Sequence, residues 1–125
     1  MKAVGIGVFC LLSLCLLAAH GCGKKADEAR PISEVKAEAD KMGVADLQAW
    51  AKTYKDAIVA KKAEVEKVAA RVKEIPLAEM LGEEAKNLKA ELEDLKNSVA
   101  ALTERFQVYY DKLKEKGGDT SGLDV

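Results

Sequence analysis

The apolar residues of this chain fall into two long stripes separated by a proline. Leu47, Ala51, Tyr54, Ile58, Val65, Val68, Val72 and Ile75 recur at alternating steps of four and three, with one gap at Lys61. Beyond Pro76, the residues Leu81, Ala85, Leu88, Leu92, Leu95, Val99, Leu102, Phe106, Tyr109 and Leu113 repeat the pattern through nine unbroken steps. That period puts the apolar side chains on one face of an α-helix, and sustained over several heptads it makes a coiled-coil seam. A shorter set, Ile32, Val35, Ala39 and Met42, shares a face further upstream.

The punctuation sets the boundaries. Ser33 and Asp46 offer side-chain N-caps, and Gly43 interrupts the pattern between them, so two helices or one kinked helix fit equally. Pro76 forbids an intrahelical hydrogen bond and biases Ile75 away from helical angles. Glu83 and Glu84 suit the positive end of the last helix and Lys112, Lys114 and Lys116 its negative end, while Gly117-Gly118 form the stop.

Helices are therefore predicted over about 33–42, 46–74 and 83–116. A short connection makes the two long ones antiparallel neighbours. The predicted fold class is all-α: an antiparallel, coiled-coil-like helical hairpin with a shorter N-terminal helix covering part of its groove, a small three-helix bundle over 33–116. Leu77, Met80 and Leu81 are more apolar than a flexible loop should be, which predicts that this turn folds back to cap the core. Residues 117–125 are polar and Gly-rich and are predicted to be a disordered tail. The unbroken heptads also permit self-association.

In an antiparallel hairpin Trp50 and Tyr54 meet Phe106, Tyr109 and Tyr110 at one end. Tyr54, Phe106 and Tyr109 lie on the stripes and are expected in the core. Trp50 and Tyr110 are off the stripes by one position, which makes them the candidate partner contacts.

The N-terminus is of another kind. Met1-Lys2 precedes an apolar run from Ala3 to Ala19, and composition then turns abruptly charged and Ala-rich, as in an export signal. The segment Leu17-Ala18-Ala19-His20-Gly21-Cys22 resembles the lipobox of a bacterial lipoprotein precursor, with a small residue before the Cys and His20 as its departure from the pattern. Cys10 and Cys15 follow bulky residues inside the apolar run and do not match. The resemblance implies that residues 1–21 are removed, that Cys22 receives diacylglycerol and an N-acyl chain, and that 22–32 is a lipidated tether holding the domain to a bacterial membrane. Gly23 lacks the Asp that favours inner-membrane retention in some bacteria, which leans toward the outer membrane. Two other readings stay open: cleavage after Gly21 that releases a soluble protein, and retention as an uncleaved anchor.

Composition narrows the chemistry. The chain has 125 residues, one His and three Cys; without residues 1–21 it has no His and retains only Cys22. That removes the usual general base near neutral pH, the transition-metal ligands and any intrachain disulfide. Ser33, Ser98 and Ser121 lack a nucleophile context, and there is no phosphate-binding Gly-rich loop. Without Lys2, 19 of the 20 Lys plus Arg residues face 21 interspersed acids, so no nucleic-acid surface is segregated. The sequence thus points to a non-catalytic structural or protein-interaction module of the cell envelope, with no cofactor beyond the lipid and an unidentified envelope protein as partner. A soluble periplasmic helical chaperone or lipid-binding protein is the alternative.

Overall fold

The computed structural model describes residues 24–125; the N-terminal apolar run expected to be an export signal and Cys22 lie outside the described residues. Three α-helices are present, α1 (Ile32–Lys41), α2 (Val44–Glu74) and α3 (Glu83–Glu115), with a 3₁₀ turn at Leu77–Glu79 and no strand among the described residues. The protein is all-α, as the stripes require. Helices α2 and α3 form the antiparallel hairpin and α1 packs on α3.

Both stripes turn inward. Leu47, Ala51, Tyr54, Ile58 and Val68 are buried on α2, and Ala85, Leu88, Leu102, Phe106, Tyr109 and Leu113 on α3. Helix ends differ from expectation in detail. Ser33 does not cap α1; Pro31 precedes the helix, its carbonyl accepting from the backbone N–H groups of Glu34 and Val35, both at 3.1 Å. Asp46 does not cap α2, which starts after the extended Gly43; it lies in the first turn, where the helix dipole favours an acid. The extended backbone of Met42 and Gly43 makes α1 and α2 separate helices.

The segment preceding α1 is no free tether. Residues 24–31 form a strap across the hairpin. Tyr54 Oη donates to the Asp27 carbonyl and accepts from the Asp27 N–H, each at 3.2 Å. The Arg105 guanidinium donates twice to the Arg30 carbonyl, at 3.0 and 2.6 Å, and once to the Ala101 carbonyl at 2.7 Å. Lys24 pairs with Asp46 at 3.2 Å. These backbone groups find side-chain donors and acceptors on the helices, so a polar sequence is fixed without an apolar stripe.

The tail is likewise ordered, contrary to its composition. Gly117, with φ of 73°, and Gly118 close α3 in a Schellman motif, Gly118 N–H donating to the Leu113 carbonyl at 2.9 Å and Gly117 N–H to the Lys114 carbonyl at 3.0 Å. A side chain at Gly118 would overlap Leu113 and come within 2.9 Å of Val44. The chain turns back over α2, Gln48 donates to the Asp119 carbonyl at 3.3 Å, and Leu123 enters the core.

The core cluster, from Val35 and Ala39 through Leu47, Ala51, Tyr54 and Ile58 to Leu102, Phe106, Tyr109, Leu113 and Leu123, occupies only the half of the hairpin nearer the start of α2. Beyond the Lys61 gap the seam stays closed at Val68, Ala85 and Leu88, but Val65, Val72, Leu92 and Leu95 are half-buried and none of these residues joins the core cluster.

Candidate functional site

At the base, Tyr109 stacks with Trp50 at 5.7 Å between ring centroids and with Tyr54 at 5.5 Å. Phe106 stacks with Tyr110 at 5.4 Å, and Lys114 Nζ lies 5.3 Å from the Tyr110 ring centre. The two candidate partner contacts are thus both half-buried but belong to different stacks, and they do not form one patch. The aromatic end is a structural cluster in which each ring supports another.

Its anomaly is the Tyr109 hydroxyl, which is buried and makes no well-formed hydrogen bond among the described residues, although the Arg30 guanidinium lies close to it. Burial pushes the Tyr109 pKa up to about 12, with Tyr54 and Glu38 adding to the shift and the nearby Arg30 guanidinium opposing it. An ion pair fastens α1 to α3: Lys112 Nζ lies 2.7 Å from Asp40. Hydrogen bonding to Asp40 and then to Glu115 raises the Lys112 pKa to about 12, and the same contact holds the Asp40 carboxyl below its ordinary range.

The grooves at this end are open and mixed in charge. The one beside the strap, about 680 Å³, is lined by Lys25, Asp27, Arg30, Trp50, Lys61 and Glu64 among others. Among the described residues there is no group of three or more metal-ligating side chains, and no helix is long and apolar enough to cross a membrane.

The other end of the hairpin overturns an expectation. Leu77 and Leu81 do not fold back over the core; they are 91% and 86% exposed. Leu81 lies outside α3, so the stripe on that helix starts at Ala85. The physical reason is in the turn itself. Extended backbone at Ile75 and Pro76 leads out of α2, and the turn then closes on its own hydrogen bonds: Glu79 N–H to the Pro76 carbonyl at 2.8 Å and Gly82 N–H to the Glu79 carbonyl at 2.9 Å. With the backbone so held, the two leucines face solvent and only Met80 and Ile75 remain half-buried. The two leucines are thus exposed on a turn held by its own backbone hydrogen bonds.

Sequence reasoning placed these leucines wrongly and missed two further residues. Arg105 is 8% exposed and clamps the strap, though it lies beside the stripe rather than on it. Leu123 is 4% exposed, and its only signal was its being the one leucine of a polar tail. Comparison with protein-family models, with curated proteins and with solved structures gives no match to this chain.

Proposed function

We propose that the protein is a lipid-anchored, non-catalytic interaction module of a bacterial cell envelope, in which Cys22 carries the lipid and the hairpin presents its tip to another protein. The observation that carries this reading is the separation of the two ends. Lys24 pairs with Asp46 near the start of α2, while Leu77 and Leu81 follow its far end. A helix of 31 residues puts about 46 Å between them.

Cys22 precedes Lys24 by two residues, at most about 7 Å of chain. A lipid there holds the wrapped base close to the bilayer surface, in place of the long flexible reach that an unstructured 22–32 segment would give. The strap thereby passes the position of the anchor to the hairpin, and α2 with α3 acts as a spacer. The missing His and the lack of a second Cys in the mature chain support a binding role over a catalytic one.

The test is the intact mass of the native protein from membrane and soluble fractions, beside Cys22→Ala. A membrane-bound species heavier than residues 22–125 by diacylglycerol and acyl groups, lost in the variant, is the expected result. An unmodified soluble mass beginning at Cys22 overturns the anchor. The exposure of Leu77 and Leu81 also favours a second reading, a soluble chaperone that holds unfolded clients on the tip. Suppression of aggregation of a heat-unfolded model protein, abolished by Leu77→Asp with Leu81→Asp, would support that reading over the first.

A further inference from the structure

The residues around the exposed leucines specify what can cover them. From Glu74 to Ala85 the chain carries Glu74, Glu79, Glu83 and Glu84 and no Lys or Arg. All four carboxylates are exposed. Glu83 and Glu84 have a local reason to be there, since they sit at the positive end of α3. Glu74 has the opposite: it is the last residue of α2, where the dipole disfavours an acid, and Glu79 is on the 3₁₀ turn. Among the described residues only Lys86 reaches one of the four, Glu83, at 4.0 Å between two highly exposed side chains, while Lys89 Nζ donates to the Met80 carbonyl of the turn at 3.4 Å and pairs with none of them.

We infer that the tip docks into an apolar pocket rimmed by Lys or Arg on another protein, with Leu77 and Leu81 entering the pocket and Glu74, Glu79, Glu83 and Glu84 meeting the rim. This rests on the interaction reading above and names the chemistry of its partner. Charge decides between the possible occupants. A second copy meeting tip to tip sets four carboxylates against four. An anionic bilayer repels the same ring as the leucines approach it. A cationic rim is steered toward it and, once the pair is desolvated, leaves no carboxylate facing like charge. A tip held in one conformation by its own backbone hydrogen bonds is suited to a pocket of fixed shape.

The experiment places a photo-crosslinking amino acid at Leu77, at Leu81 and, as a control on the shaft, at Lys67 in the full chain in its native host. Expected is one discrete protein adduct from both tip positions and none from the shaft. Its cross-linked peptide should lie among apolar residues next to Lys or Arg. Adduct yield should fall about tenfold or more in Glu74→Lys with Glu79→Lys, and should fall as salt is raised. Both substitutions are on exposed positions, so an unchanged urea midpoint shows that the fold survives. An adduct with a second copy, an adduct with lipid, no adduct, or a yield indifferent to charge reversal overturns the inference. The mass of Cys22 is read in the same cells. A tip adduct without lipidation leaves the pocket standing and removes the anchor; lipidation without an adduct does the reverse.

Discussion

At the base of the hairpin, α2 and α3 are wrapped by α1, by the strap and by the tail; toward the tip, among the described residues, the same two helices pack only on each other. The apolar repeat is continuous on α3 through both halves, yet only the base half has a contiguous core. The difference shows that a heptad stripe supplies one seam and no more. The seam alone buries Val68, Ala85 and Leu88, but it becomes a contiguous core only where other segments exclude water from its flanks, as at Leu102, Phe106 and Leu113; Leu92 and Leu95 stay half-exposed. Lys61, the one polar position on the α2 stripe, stands at the boundary, paired with Glu64 at 3.0 Å. The division also separates the surfaces: the base has the ordered packing, and the tip has the two most exposed leucines, Leu77 and Leu81.

Core truncations split the halves most sharply. Ile58→Ala or Leu113→Ala is expected to cost about 2–5 kcal/mol, whereas Leu92→Ala on the bare half costs about 1 kcal/mol. Urea unfolding with unchanged slope measures both, and equal costs would erase the distinction. Next in size is Arg105→Ala. It strips the Arg30 carbonyl of both its guanidinium donors, with an expected loss of about 1–3 kcal/mol and faster hydrogen exchange at the Asp27 amide on the freed strap. A variant in which strap and hairpin keep their protection would mean that the clamp is incidental.

Much of this was legible beforehand. Stripe spacing gave the two long helices, their antiparallel pairing and the core positions of Tyr54, Phe106 and Tyr109, because burial on a helix follows a period. What composition misjudged were the segments held by other means. The strap is fixed by an arginine fork and a tyrosine hydroxyl, which leave no periodic signal. The tail is fixed by a Schellman turn that reverses the chain and by the single side chain of Leu123. The turn leucines failed for the converse reason: apolar character predicts burial only where the backbone can bring it inward, and the Pro76 turn does not. For the candidate site, Trp50 and Tyr110, which lie off the stripes, are half-buried, while the two most exposed large apolar residues, Leu77 and Leu81, lie at the other end.

The ion pair on α1 gives a pH signature confined to the base. The Lys112 pKa is raised from 10.5 to about 12, so its contribution is whole below pH 10.5 and is lost as pH rises through about 12. Asp40 is depressed below 3.8, so its contribution is whole above that value and is lost as pH falls below it. The amides of Val35 and Ala39 should therefore lose protection at both extremes while α3 near Leu92 shows no such dependence. Asp40→Asn should flatten the acid limb. Tyr109, also raised to about 12 from 10.0, adds to the alkaline loss in the same direction. Tyr109→Phe isolates the Lys112 part.

That last substitution has the smallest expected effect and the least usual sign. Removing a buried hydroxyl that makes no well-formed hydrogen bond should leave stability unchanged or raise it by up to about 1 kcal/mol, while the ring keeps its stacks on Trp50 and Tyr54. A loss of more than that would mean that the nearby Arg30 guanidinium bonds the hydroxyl.

The division of the hairpin into a wrapped base and a bare distal half is tested most directly by native-state hydrogen exchange across α2 and α3. Amides flanking Tyr54 and Phe106 should open only with global unfolding, and those flanking Val65 and Leu92 at a distinctly lower free energy, as a sub-global unit. A single opening energy along both helices would contradict it.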